Sequence, residues 1–423
     1  MKKRSFELAP WEWVLLLGGL LLFALQAGLS SPQKSAAFDE EYHLAAGYAY
    51  LRTGDFRLSR SHPPLINALS ALPLLALDGV VLPLDHPSWA EGDYFNFSDV
   101  FLWQVNENPQ RLLVLARLPV IALGTLLAAL LFVWARQWAG PAAGWAALLL
   151  AVFDPNLLAN SRLVTTDLGL TLFMALAVWR LWRWLERPGW LNLILAGAAA
   201  GLAMASKFTG LLIWPVFLAI LLLYPRGRER RWWGVGHLAL AGVIAYGVLW
   251  ALFGFDVGPV AGAPWAVPVP APFYPASVWD TFMVIEQQPK TTFLLGETSP
   301  RGWWTYFPVA LAVKTPLPLL ILAGAGLVLL LRRQWRAGSV LWGPPLLMMA
   351  LAMTARIAIG YRHILPAVPF LILLAAVAVA ALWGWRRETR LAVLLLVVAA
   401  AWQAGGTVRL FPHYEAFFNL LGG

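Results

Sequence analysis

Asp39, Glu40 and Glu41 stand side by side in an otherwise apolar protein, and His43 follows closely. Further along comes His62-Pro63-Pro64-Leu65. A helix over 39–51 would put Asp39, His43 and Gly47 on one face with Tyr50 nearby, and Glu41, Tyr48 and Arg52 on another. An acid and an imidazole one turn apart can act as a general base and its partner. Acids in a first helical turn are also favoured by the helix dipole alone, so spacing by itself leaves both readings open. A second set of ionisable groups is cationic: Arg162, Lys207, Lys314, Arg356 and Arg362, with His363 beside the last. Arg117 lies inside an apolar run. Cations at a lipid boundary suit a phosphate whose tail lies in the bilayer, or they snorkel to lipid headgroups or pair with acids such as Asp154 and Asp167. Asp154-Pro155-Asn156 and Thr165-Thr166-Asp167 form a second tier, since Asp167 and its threonines could simply cap a helix.

The elements that must hold these groups are membrane spans. The chain has 423 residues, of which 60% are hydrophobic, and 24 are Trp. Apolar runs of roughly 17–25 residues recur, each long enough to cross a bilayer. The expected spans are 11–29, 111–134, 141–158, 166–182, 190–205, 208–224, 233–253, 315–331, 339–354, 364–383 and 391–404, about eleven in all. The expected class is therefore an all-α polytopic membrane protein, one domain over 1–423 with no separate soluble domain. The first run reads as a retained anchor, because no Ala-x-Ala-like site follows it. Two helices are expected to lie on the membrane within the first long loop, 30–110: Asp39 to Leu51 and Leu65 to Leu77. A second long loop, 255–306, carries Pro259, Pro264, Pro268, Pro270, Pro272 and Pro275 and is expected to be extended.

Charge orients this arrangement. With the basic N-terminus (Lys2, Lys3, Arg4) inside, the inner connections hold Arg136, Arg180 to Arg187, Arg226 to Arg231, Arg332 to Arg336 and Arg386 to Arg390. That is the positive-inside pattern. Nearly all carboxylates fall on the other side. The net charge of +9 is thus explained by topology, and nucleic acid is not needed as a partner. The run 191–224 has arginine-rich flanks at both ends, so it must cross twice. It is expected to break at Ser206-Lys207-Phe208, with Lys207 near the outer surface. Lys314 precedes Thr315-Pro316, which reads as a helix start with Thr as cap. The absence of cysteine excludes thiolate chemistry. The histidines are too scattered for a metal motif, although the several outer carboxylates could bind a divalent metal once substrate is present. An enzyme and a transporter or lipid-linked-glycan flippase remain the alternatives. Charges crowded on one face, without visible repeats, favour the enzyme.

Phe38-Asp39-Glu40, His43, Tyr48, Tyr50 and His62-Pro63-Pro64-Leu65 resemble the first outer loop of the protein O-mannosyltransferases. They are similar too to the aminoarabinose transferases and other lipid-carrier-dependent glycosyltransferases of the GT-C fold. Asn160 to Asp167, Ser206 to Gly210, Tyr306-Phe307-Pro308 with Lys314-Thr315-Pro316, and Tyr361-Arg362-His363 with Leu365-Pro366 look like later elements of the same family. The resemblance implies a GT-C architecture and a polyprenyl-phosphate-linked sugar donor. It also implies inverting transfer on the outer face, to a hydroxyl of a glycan, lipid or protein. It makes Asp39 the base or acceptor-orienting group, Glu40 its catalytic neighbour, and His62 a contact to the donor. His43, Arg162, Lys207, Lys314, Arg356, Arg362 and His363 complete the expected substrate-binding set.

Overall fold

The structure is a computed structural model and describes residues 8–225, 228–263, 266–287, 291–300, 302–355, 358, 360–386 and 389–422. Lys2, Lys3, Arg4, Arg226, Arg356, Arg387 and Glu388 lie outside the described residues. The chain is helical almost throughout. In order, the helices are α1 Pro10–Ser30, α2 Phe38–Thr53, α3 Leu65–Ala71, α4 Pro87–Glu91, α5 Tyr94–Asp99, α6 Pro109–Ala139, α7 Pro141–Val152, α8 Pro155–Ser161 and α9 Asp167–Glu186. They continue as α10 Trp190–Ser206, α11 Ile213–Leu223, α12 Arg228–Leu252, α13 Phe273–Gln287, α14 Tyr306–Lys314, α15 Leu317–Met353, α16 Val368–Trp385 and α17 Arg390–Val408. Two antiparallel ribbons, 257–258 with 269–270 and 292–294 with 297–299, are the strands among the described residues.

Each of the expected apolar spans falls on helix, but the count of eleven is not reproduced. Among the described residues, seven helices are long and apolar enough to cross a membrane, or eight if the bent pair α7–α8 is one span. The differences have local causes. α15 runs through 37 residues, yet Gln334 inside it has a non-helical backbone (φ −149°, ψ 41°), in the arginine-rich segment expected to join two spans. α10 ends at Ser206, Lys207 is extended (φ −155°, ψ 146°), and a 3-10 turn Phe208–Leu212 leads into α11. These two helices are apolar but shorter than the seven.

α7 and α8 meet at 60°. The break frees the carbonyls of Val152 and Phe153, which in a membrane must find partners within the protein. Gln26 of α1 donates to Val152 (3.1 Å), and Gln403 and Thr407 of α17 donate to Phe153 (2.9 and 2.6 Å). Asp154 then caps α8 by accepting from the Leu157 amide (2.8 Å).

Two sequence expectations need correction. The loop 255–306 is not extended throughout, because α13 occupies 273–287. Pro275 lies in the first turn of that helix, where the missing amide has no intrahelical partner to lose. Thr315 does not cap the start of α15: Pro316 takes that position, and the Thr315 hydroxyl bonds Tyr361 Oη at 2.8 Å.

The expected surface helices are present as α2 and as α3 with its 3-10 extension Leu72–Ala76. α2 stops at Gly54, which takes the left-handed conformation (φ 74°) that side-chain-bearing residues resist. Gly47 lets α2 press against α3, since a Cβ there would sit 2.0 Å from the carbonyl oxygen of Asn67. On an open helix, Gly→Ala is stabilising by about 1 kcal/mol. At this contact the partner is backbone, and overpacking should reverse the sign. Gly47→Ala is expected to lower stability by about 1–3 kcal/mol in thermal unfolding of the detergent-solubilised protein. A stabilised variant would contradict the α2–α3 packing.

Candidate active site

α1, α6 and α9 fix the two ends of the bundle. Glu12 near the start of α1 pairs with Arg136 near the end of α6 (2.8 Å), and Arg183 near the end of α9 donates to Gln137 (2.9 Å). The opposite end holds α2, the start of α9, the α10–α11 break and the 3-10 turn Tyr361–Ala367 before α16. There, two acid–cation pairs converge. Arg362 is ion-paired with Asp39. Lys207 Nζ lies 2.6 Å from Asp167 Oδ1. Asp167 is also within electrostatic reach of Arg362 and His363. The site is therefore assembled from four separate parts of the chain, and Lys207 is available because α10 stops there.

The imidazoles lie against this cluster. His43 is buried, its Nδ1 2.9 Å from Asn67 Oδ1, and its ring is 4.8 Å from that of His62. Tyr42 stands between His62 (ring centroids 6.1 Å) and Tyr94 (5.7 Å). His62 Nδ1 is buried without a hydrogen-bond partner among the described residues. Burial pushes His43 down to about 4, with the nearby Asp39 acting in the opposite direction. Burial also holds His62 well below the usual histidine range, helped by His43 and Lys207. At neutral pH both rings are uncharged hydrogen-bonding groups. His43 gives its Nδ1 to Asn67 and not to Asp39, so the simple acid–imidazole couple suggested by spacing is not formed.

This makes a pH prediction. Between pH 6.5 and about 4 the unfolded chain protonates His43 while the folded chain does not, so the unfolded state holds more protons and stability falls as pH falls. The slope from this group approaches about 1.4 kcal/mol per pH unit in that window. Thermal unfolding from about pH 7.5 to about pH 5 should show a steeper acid loss for the native protein than for His43→Gln. Parallel curves would exclude the effect.

Glu40 does not face the cluster. It is fully buried and paired with Arg117, which is also fully buried (2.6 and 2.8 Å). The amides of Ala37 and Val164 each donate to it at 2.9 Å. All of its accepting geometry is used in holding the start of α2 to Arg117 of α6 and to the Val164 amide, so Glu40, expected from sequence to be catalytic, is here fully engaged in structural contacts. Arg162 and Lys314 also lie elsewhere. Arg162 is buried, donates to the carbonyls of Ser30 (3.2 Å) and Pro412 (2.7 Å), and pairs with Glu415. Lys314 donates to the Glu415 carbonyl (3.1 Å) and sits 3.7 Å above the Phe418 ring. Among the described residues, neither shares a hydrogen bond or ion pair with Asp39, Asp167, Lys207 or Arg362. Both are taken up by the segment after α17, which packs over them.

His363 is placed with the cluster, stacked on Phe307 at 6.1 Å and within electrostatic reach of Lys207, Asp167 and Asp39. Arg356 lies outside the described residues. Among those residues, no group of three or more His, Asp and Glu side chains is arranged to hold a metal ion. The arrangement offers chemistry of one kind: a carboxylate able to take a proton, beside two cations whose present partners are themselves anions. An incoming phosphate could replace Asp39 and Asp167 as partner to Arg362 and Lys207.

A family model described as dolichyl-phosphate-mannose-protein mannosyltransferase matches residues 111–258. No curated protein matches the chain. Among solved structures, ArnT from Cupriavidus metallidurans bound to undecaprenyl phosphate is 17% identical, with a TM-score of 0.59, over 96% of this chain and 72% of that one. The same protein in the apo state is 18% identical, with a TM-score of 0.57, over 89% of this chain and 61% of that one. The oligosaccharyltransferase of Archaeoglobus fulgidus in the apo form is 12% identical, with a TM-score of 0.59, over 95% of this chain and 57% of its own. The chain thus spans about three fifths of the length of the apo ArnT chain. The fold is the GT-C membrane architecture.

Proposed function

We propose that this protein is an inverting glycosyltransferase that moves a sugar from a polyprenyl-phosphate carrier to an acceptor hydroxyl on the outer face of the membrane. The observation that carries the reading is the pairing of Asp39 with Arg362 beside Lys207 with Asp167. In the transfer, the sugar's anomeric carbon loses its bond to the carrier phosphate and gains one to the acceptor oxygen. The departing phosphate is already a good leaving group, so no general acid is required. It needs positive charge where negative charge develops, and Arg362 and Lys207 supply it. The acceptor hydroxyl must lose its proton, and Asp39 is the carboxylate freed when Arg362 turns to phosphate. Attack from the side opposite the phosphate inverts the anomeric centre. The arginine-rich connections at the other end of α1, α6 and α9 support an outward-facing site. The structure of ArnT with undecaprenyl phosphate supports a lipid-phosphate donor.

The test is direct. Full-length protein reconstituted in phospholipid vesicles is given radiolabelled polyprenyl-phosphate mannose and related carrier-linked sugars. Release of free polyprenyl phosphate, with label recovered on an acceptor or on water, is expected. Movement of an intact donor across the vesicle without cleavage would overturn the reading in favour of a flippase.

A further inference from the structure

Beside Asp39 lies an aromatic surface that the transfer chemistry does not use. Phe38, the residue before Asp39, is 72% exposed, and Phe95 is 45% exposed. Their rings are 5.8 Å apart, and Tyr94 packs on Phe95 at 4.2 Å. Tyr42 lies 6.1 Å from Phe95 and an equal distance from His62, so the surface runs without interruption into the Asp39 cluster. Trp103, 46% exposed, is fixed by donating to Glu41 Oε2 at 2.8 Å. It belongs to a π-helical turn, Val100–Gln104, that continues α5. Such turns are uncommon and gather at functional sites.

Exposed aromatics in a membrane protein often anchor it in the lipid interface. Charge argues against that here. Asp39 and Glu41 follow Phe38 in the first turn of α2, Asp93 caps α5 immediately before Tyr94, and Asp99 accepts from Gln104 in the π-turn. A patch edged by carboxylates is repelled by anionic headgroups. The donor–acceptor balance narrows the ligand further. Ionised carboxylates only accept hydrogen bonds. A peptide presents as many carbonyls as amides, and a phosphate presents acceptors only. A sugar presents many hydroxyl donors around its rim and an apolar C–H face that fits an aromatic ring.

We infer that Phe38 and Phe95, with Tyr94 beside them, form the acceptor platform, and that the acceptor is a pyranose of a glycan whose hydroxyl is presented to Asp39. The inference rests on the glycosyltransferase reading for its catalytic meaning, but saccharide binding can be measured without a donor. Saturation-transfer NMR on the full-length protein in nanodiscs, with methyl hexopyranosides and maltotriose as probes, should show binding. The dissociation constant is expected to rise at least tenfold in Phe38→Leu and Phe95→Leu, which keep apolar area but lose the ring, and to be retained in Phe38→Trp. An interfacial anchor would tolerate Leu and Trp alike. Unchanged binding in the Leu variants, no saccharide binding by the native protein, or binding of a Ser/Thr peptide to the same residues would each overturn the platform. In the radiolabel assay, the Leu variants should raise the KM for the saccharide. Saccharide binding without any donor cleavage would instead overturn the catalytic reading and leave the platform standing.

Discussion

Asp39→Asn is expected to lower the turnover of sugar transfer by about 10²–10⁴-fold. Asn keeps the shape and can still accept a hydrogen bond from the acceptor hydroxyl, but it cannot take the proton. Two other consequences compete with this one. The first is loss of the ion pair to Arg362. That pair is mostly buried, with 16% of the Asp39 and 30% of the Arg362 side chain accessible, so the cost in stability lies between the about 0–1 kcal/mol of a surface pair and the about 3–5 kcal/mol of a fully buried one. The second acts on the donor. Arg362 without its carboxylate is a freer cation, so donor phosphate should bind at least as well. The expected pattern is therefore a collapse of kcat with no rise in donor KM and a modest fall in melting temperature. Arg362→Gln should give the complementary pattern, with donor KM rising and kcat falling, because the cation acts on both bound and departing phosphate. Full turnover in a folded Asp39→Asn protein would remove Asp39 as the base.

The apolar helices, though not the count of eleven spans, were legible in the sequence because length and apolarity alone decide whether a helix can cross a bilayer. The break at Lys207 was legible for a different reason: arginines at both ends of the run 191–224 demand an even number of crossings. The pairings between distant charges were not legible. Arg117 stands out as a cation in an apolar run, yet nothing local in the sequence points to Glu40, which precedes it by 77 residues. Lys207, Lys314, Arg162 and Arg362 look alike as isolated cations near helix ends. Only packing separates the two that meet Asp39 and Asp167 from the two held by the segment around Glu415. Asp167 could be read as a helix-capping residue, and its pairing with Lys207 depends on the start of α9 lying against the end of α10. The aromatic platform was missed as a unit, because exposed aromatics are ordinary in a Trp-rich membrane protein. The flanking carboxylates are the signal that could have singled it out.

The largest expected effect on stability comes from the pair behind the site. Glu40 accepts from Arg117 Nε (2.8 Å) and Nη2 (2.6 Å) and from the amides of Val164 and Ala37. Arg117 in turn donates to the carbonyls of Ser31 (2.8 Å), Lys34 (3.1 Å) and Ser35 (2.9 Å). Neither side chain has accessible surface. Removing one partner of such a pair leaves the other charged and buried, at a cost of about 3–5 kcal/mol. Glu40→Gln and Arg117→Leu should both fall in that range, and Arg117→Leu should be the worse of the two. It strands three carbonyls of the α1–α2 connection as well as a carboxylate, whereas the amide introduced by Glu40→Gln can still accept one of the original bonds. The double variant Glu40→Gln/Arg117→Leu should lose less than the sum of the singles, since no unpaired charge remains. Melting temperatures of the four proteins in one detergent give the cycle, and additive losses would show that the two side chains do not act as a pair. Activity supplies a second readout. Glu40 is one residue from Asp39, so shifting it moves the start of α2 relative to Arg362. At temperatures where Glu40→Gln remains folded, its kcat should fall while Trp103 and the other contacts of the loop 30–110 stay in place. If kcat is retained in that folded protein, Glu40 serves stability alone, and the position of Asp39 is set by Arg362 and the α2–α3 packing at Gly47.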